Sequence, residues 1–401
     1  MFNSLKFKVI LFGFIFTFFS SFGQSYFLGL FNSSIRDALS ITHGQFGSIY
    51  ASATLCSSLL LIWVGKKIDD VNIFKFALFV IILLSFACFF FSKVSSVFLL
   101  FIAIFLMRFS GQGMMSHTAS TTISRYFTRT RGRALSISWF GLSSAEFIMP
   151  VLMVYLLTII DWQNLWLIFS ITVLIILPTA SFLLIKNLNL DSREASDENI
   201  KEVEIKQWSR REVIKDYRFY IISLNMLAMP WIFTGFAVFQ SFVQTSKGWG
   251  PYVIAQSFMS YSILSVLTLF LSGFLIDKFT SRKLLIYMNI PLLFSVVVLY
   301  FFDTPITAFL FLGLVGISNG FANILGSSTW AELYGVKYLG SIKALTTALM
   351  VFATAFGTAL FGLLIDLGFT VDGIALISGF YIFFSLILLF LIRKKLNPII
   401  I

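Results

Sequence analysis

Twelve long apolar runs leave this chain few folds to choose from. They lie near 9–31, 44–64, 74–92, 97–123, 134–159, 163–185, 219–245, 252–276, 284–302, 305–330, 342–365 and 372–392. A run of about 20 apolar residues crosses the ~30 Å hydrocarbon core as a helix, whereas a barrel strand needs only about ten, in alternation. These runs do not alternate. The expectation is therefore an all-α polytopic membrane protein with twelve transmembrane helices. Charged residues make up 12% of the chain, about half the share of a soluble domain. The fifty Phe residues suit a lipid-facing surface. The first run is about 22 residues long and no small-x-small site follows it, so it reads as a spanning helix and not as a signal peptide.

The net charge of +11 does not gather on a soluble face, so nucleic acid is not an expected partner. If the N-terminus is inside, 25 of the 29 Lys and Arg residues fall in inner loops. Only Arg36, Lys93 and Lys247 fall outside, and Arg108 lies within a run. The positive-inside rule then places both termini in the cytoplasm, with the chain in a bacterial inner membrane.

One long polar stretch divides the twelve runs into six and six. The expected organisation is a bundle over 1–186, a cytoplasmic linker over 187–217 and a second bundle over 218–401. The linker lacks the apolar content to fold alone. Its Trp208–Tyr217 portion reads either as an interfacial amphipathic helix or as solvated chain. The two halves also repeat. Gly65-Lys66-Lys67-Ile68-Asp69 follows the second run, and Gly273-Phe274-Leu275-Ile276-Asp277 follows the eighth, 208 positions later. The same offset carries Tyr126, Arg129 and Gly132 onto Tyr334, Lys337 and Gly340. Two loops matching at one offset indicate parallel six-helix repeats.

This six-plus-six pattern, with a Gly-x-x-x-Asp turn after helices two and eight, resembles the major facilitator superfamily over essentially the whole chain. Two stretches look like bacterial porters related to the monocarboxylate and oxalate carriers. One runs from Phe22-Gly23-Gln24-Ser25-Tyr26 through Leu30-Phe31-Asn32 to His43-Gly44-Gln45-Phe46-Gly47. The other runs from Trp330-Ala331-Glu332-Leu333-Tyr334-Gly335 to Leu339-Gly340. The resemblance implies alternating access around a site near the midplane between the halves, with inner-surface charges acting as gates. The residues in that position are Asp69, Asp277, Glu332 and Lys343. Carriers of that branch place an arginine in helix eight, and the oxalate carrier a lysine in helix eleven. Here helix eight offers Tyr261, Ser262, Ser265 and Thr268, and helix eleven past Lys343 has no charge, so a carboxylate would depend on Arg108.

Arg108 lies about 16 Å into the fourth run, near the middle of the bilayer. A charge there costs at least a few kcal/mol and points to a cavity, a partner or a function. The expected role is anion binding. Glu146, about 18 Å into the fifth run, reaches a similar depth. The two are expected to pair, with Glu146 taking a proton when substrate displaces it. Gln112, four residues past Arg108, is expected on the same face, and His117, nine past, on the opposite one. In drug antiporters of the superfamily, helix four carries Arg-x-x-x-Gly-x-Gly and helix five Gly-Pro-x-x-Gly-Gly. Here the glycines come one residue early (Gly111, Gly113), and helix five has Gly141-Leu142-Ser143-Ser144-Ala145-Glu146, which lowers a drug or metabolite exporter in the ranking.

The second half offers amides instead of charges: Asn225, Gln240 and Gln244, and Asn319 with Asn323 four residues apart on one face. Pro230 is expected to break or kink helix seven. Tyr26 in helix one is a further substrate candidate, and Thr42-x-x-Gln45 fits a capping box at the start of helix two. Cys56 and Cys88 show neither metal spacing nor a disulfide framework. No catalytic set, metal cluster, cofactor motif or nucleotide-binding loop is present in the sequence. The reading is a monomeric secondary transporter for a small organic anion such as a monocarboxylate, coupled to protons. A porter for a zwitterionic or neutral solute is the alternative.

Overall fold

The computed structural model describes residues 4–127, 130–186 and 206–398, apart from the side chains at 4, 69, 131, 277 and 327. All regular structure among the described residues is helical. Twelve helices are long and apolar enough to cross a membrane. The chain falls into two compact units, Met1–Asn199 and Ile200–Ile401. The first holds α1 (Leu5–Gly29), α2 (His43–Ile68), α3 (Ile73–Phe91), α4 (Val97–Tyr126), α5 (Gly132–Leu156) and α6 (Trp162–Ile185). The second holds α7 (Tyr217–Val238), α8 (Val253–Ile276), α9 (Ser281–Phe301), α10 (Pro305–Tyr334), α11 (Leu339–Asp366) and α12 (Val371–Lys395). Phe98, Phe274 and Phe380 are among many large apolar side chains left exposed, as a lipid-facing surface requires.

Helices pair alike in the two units. In the first, α1 packs on α5, α2 on α4 and α3 on α6; in the second, α7 packs on α11, α8 on α10 and α9 on α12. The tightest crossings use small residues, which let backbones approach where no hydrophobic force between helices is available. A Cβ on Gly141 of α5 would lie 2.1 Å from the Phe14 carbonyl of α1, and one on Gly357 of α11 would lie 2.1 Å from the Trp231 carbonyl of α7. Polar contacts supplement the packing. Ser85 of α3 and Ser170 of α6 each donate to the other's carbonyl. The start of α2 carries the expected capping box, with Thr42 and Gln45 satisfying each other's backbone N–H.

Three local features depart from expectation. Pro230 does not break α7, which stays helical from Tyr217 to Val238. The missing N–H leaves the Met226 carbonyl without its usual donor one turn back. The repeated glycine signature takes two forms: Gly65–Asp69 is a tight 3-10 turn, whereas Gly273 sits inside a helix that runs on to Phe279. The described end of the expected linker, 206–216, packs onto the second unit. Its helix Arg210–Lys215 is closed by a Ser209–Glu212 capping box. Trp208 donates its N–H to the Tyr334 carbonyl at 2.9 Å and packs edge-on against that ring. Val213 is fully buried with Phe219, Trp330 and Leu389. Trp208 is thus not loose chain; it docks on the end of α10.

At the opposite end of the second unit, Lys247 holds three segments together. Its buried Nζ lies 2.5 Å from Asp303 before α10 and 2.6 Å from Asp372 in α12. The Trp249 indole donates to the Asp303 carbonyl.

Candidate functional site

The polar centre of the first unit forms where α1 loses its regular turn. Ser21–Gly23 is 3-10, Gln24 is extended (φ −80°, ψ 151°), and the helix resumes at Ser25. Such a break frees backbone groups, which are tolerated at membrane depth only beside protein or a water-filled cavity. Arg108 meets this one. Its Nη1 donates to the Gly23 carbonyl at 3.1 Å and to the Ser25 hydroxyl at 3.2 Å. Tyr50 of α2 donates to the same hydroxyl at 2.9 Å, and its ring centre lies 5.3 Å from the guanidinium carbon. Arg108 is 4% exposed, and its Nε finds no acceptor.

The fourth helix is irregular at the same level. From Arg108 to Met115 its turns widen to π-helix, a form common at functional sites. The widened stretch lies directly on the α1 break. A Cβ on Gly23 would sit 2.3 Å from both the Gln112 nitrogen and the Met107 oxygen, and one on Gly111 would sit 2.6 Å from the Gly23 nitrogen. Gln112 therefore meets α1 through its backbone. Of the early glycines of helix four, Gly111 serves this crossing, whereas Gly113 faces Leu61 of α2. His117 accordingly belongs elsewhere, with Nε2 3.0 Å from the Gly65 carbonyl at the end of α2.

The expected Arg108–Glu146 ion pair does not form among the described residues. Both side chains are buried, at 4% and 8% exposure. The reason is positional: α1 contacts both α4 and α5, and its Gly23 and Ser25 take the Arg108 donors. Glu146 instead lies in the neighbourhood of Tyr26 of α1, which is also close to Ser21. Ser25 and Tyr50 were not foreseen as neighbours of Arg108.

In the second unit Asn319 and Asn323 line one cavity of about 180 Å³, bounded also by Pro230, Met226, Trp330 and Thr346. Asn319 donates to Ser265 of α8 at 3.0 Å, and Asn323 is exposed. Among the described residues no charged side chain lines this cavity. The other amides are structural: Asn225 donates to Ser385 of α12, Asn289 donates to the Asn225 carbonyl, and Gln240 donates to the Ala237 carbonyl.

Of the expected gates, Glu332 does not approach Lys343. It accepts from the backbone N–H groups of Ser281 and Arg282, at 2.8 and 3.3 Å, and pairs with the Arg282 Nε at 3.2 Å. Lys343 is exposed and makes no ion pair among the described residues. The side chains of Asp69 and Asp277 lie outside the described residues.

These features, two matching six-helix units with buried polar centres, agree with a comparison by sequence. The model of the Major Facilitator Superfamily matches residues 13–259. The chain belongs to the major facilitator superfamily. It is an integral membrane transporter that binds small molecules. Among solved structures it is similar to a bacterial homolog of the human lysosomal transporter Spinster, inward-facing and unoccupied, with 15% identity over 98% of each chain and a TM-score of 0.74. The occupied form of that homolog matches with 13% identity over 97% of this chain and 96% of that one, at a TM-score of 0.72. The nucleoside transporter NupG matches with 13% identity over 98% of each chain and a TM-score of 0.71. At such identities the likeness shows the fold alone. No curated protein matches the sequence significantly.

Proposed function

We propose that this transporter moves a small organic anion, such as a monocarboxylate, by alternating access and with proton coupling. The observation that carries this reading is the buried Arg108 guanidinium. It is bound only by neutral groups, retains an unpaired Nε, and has no carboxylate partner among the described residues. An uncompensated charge in a low-dielectric site favours an anionic ligand strongly. Arg108 binds the anion, and Gln112 and Tyr26 are the nearby polar residues of the same unit. Glu146, buried beside Tyr26, carries the proton. Asp69, Asp277, Glu332 and Lys343 act in gating, Glu332 by holding the start of α9. The transporter works as a monomer in a bacterial inner membrane with both termini cytoplasmic.

A second reading rests on a different observation. Among the described residues the amide-lined cavity of Asn319 and Asn323 carries no charge, which suits the hydroxyl or amide groups of a neutral or zwitterionic solute. Uptake of labelled carboxylates and neutral solutes into proteoliposomes, with and without a pH gradient, separates the two. The anion reading requires carboxylate uptake that is driven by the gradient, lost in Arg108→Ala and uncoupled in Glu146→Gln. Neutral-solute uptake that survives Arg108→Ala and fails in Asn323→Ala overturns it.

A further inference from the structure

The basic end of the second unit holds a cavity that the transport reading does not use. It has a volume of about 500 Å³ and lies between the α8–α9 connection and the end of α12, within the usual range of about 300–1,000 Å³ for small-ligand sites. Arg282, Lys283 and Arg393 line it, with Thr280 and Asn397. Among the described residues no carboxylate lines it. Glu332 and the C-terminal chain already occupy Arg282, which donates to the Leu396 carbonyl and to Asn397 Oδ1, both at 3.0 Å. Lys283 and Arg393 are exposed and have no ion pair among the described residues. Arg393 stacks on Phe390, 3.5 Å from its centroid, and donates to the Phe390 carbonyl at 3.4 Å, which are neutral partners. Among the described residues the cavity therefore keeps two cations without a carboxylate partner.

Two further observations point to a ligand. The Thr280 hydroxyl is buried and has no partner, although Thr280 lines the cavity. Thr280 also has a φ of +70°, costly for a β-branched residue and of the kind found at ligand sites. Phe279 and Tyr287, on the rim, are 42% and 58% exposed. Of the two, Tyr287 is the amphipathic type that is enriched at the headgroup level of a membrane. Lys278, Lys394 and Lys395 are close in sequence and exposed, whereas the opposite end of the unit presents Asp303 and Asp372.

We propose that this cavity binds the phosphate headgroup of an anionic phospholipid, with Lys283 and Arg393 as its charge partners and the Thr280 hydroxyl as a hydrogen-bond donor. A basic pocket between helix ends at the membrane surface is suited to this ligand. Arg282 frames the pocket from its bond with Glu332.

The test places the full-length transporter in nanodiscs of phosphatidylcholine with a small fraction of phosphatidylglycerol, and counts retained lipid by native mass spectrometry. The wild type is expected to retain phosphatidylglycerol selectively. Lys283→Ala and Arg393→Ala should each weaken retention about five-fold, and the double variant about 25-fold. Lys343→Ala, a cation on another helix, should leave it unchanged. Equal retention by wild type and double variant overturns the proposal. So does a thermal stabilisation by inorganic phosphate, in phosphatidylcholine alone, that equals the effect of phosphatidylglycerol, because the site would then take the free ion. If the double variant fails to fold, Lys283→Gln and Arg393→Gln are read singly, and unchanged retention in both overturns it equally.

Discussion

Arg108 of α4 donates its Nη1 to the Gly23 carbonyl of α1 at 3.1 Å, and so joins a gap in one helix to a widened turn in another. Neither irregularity is stable alone in lipid, because each leaves backbone groups without donors or acceptors. The guanidinium satisfies one of them. An anion that drew Arg108 away would have to leave the Gly23 carbonyl unpaired, and so would strain α1 on binding.

That crossing makes a first prediction. Gly23→Ala should disrupt the first unit, because its Cβ would meet backbone atoms of α4 at 2.3 Å. Overpacking of this kind costs about 1–3 kcal/mol, and backbone that cannot move raises the cost. Thermal unfolding in detergent should show a clear loss for Gly23→Ala and none for Gly132→Ala, whose Cβ meets nothing within 4 Å.

A second prediction concerns the guanidinium itself. Arg108→Lys should not rescue Arg108→Ala in transport. Arg108 meets the Gly23 and Ser25 acceptors from Nη1 alone and keeps Nε free for a ligand, whereas an ammonium has a single compact nitrogen and no second donor group to offer once those acceptors are met. Both variants are expected to lose at least about ten-fold in uptake, equivalent to about 1.4 kcal/mol. Wild-type rates in Arg108→Lys would show that charge alone suffices there.

Much of the fold was legible because the bilayer imposes a length on each helix. Twelve apolar runs became twelve helices, and Thr42 with Gln45 declared the start of α2. The Arg108 site was less legible. Nothing in Ser21–Gly23 resembles a helix breaker of the strength of proline, and π turns have no composition of their own. Glu146 matched Arg108 in depth, but depth says nothing of the helix that lies between. Pro230 does not end α7, since neighbouring helices can hold a helix through a proline. The linker did carry a readable sign: Ser209 and Glu212 have capping-box spacing, which marks a helix start on the page of the sequence.

A third prediction rests on that box. The backbone N–H of Ser209, then Lys206, then the Ser209 hydroxyl hold the Glu212 carboxylate down, to a pKa of about 2. The unfolded value is about 4.3. The contribution is thus fully present above about pH 4.3 and is lost as the pH falls through about 2. Amide exchange at residues 210–215, corrected for intrinsic rates, should be flat from about pH 5 to 8 and should lose protection only in acid. In Ser209→Ala protection should be low throughout. A step near neutrality would contradict this.

A fourth prediction concerns Glu332. Glu332→Ala removes the acceptor for two backbone N–H groups and the partner of Arg282. Unsatisfied donors of this kind cost about 1–3 kcal/mol when buried, and this half-buried site falls toward the lower figure. Exchange at residues 281–286 should accelerate, while exchange at Gly23–Tyr26, in the other unit, should not change.

The glycine signature that repeats after α2 and α8 has separated in its mechanical duty. Gly65 is held against His117, with a Cβ there 3.3 Å from the imidazole nitrogen, and its carbonyl takes that nitrogen's bond. Gly273 stands in open space, and the position 208 residues after His117 is Leu325, a side chain with no hydrogen bond to give. Duplication copied the letters but not the fastening. Drift at Gly273 is sterically free, and drift at Gly65 is not, so the two copies of one ancestral motif now evolve under different constraints.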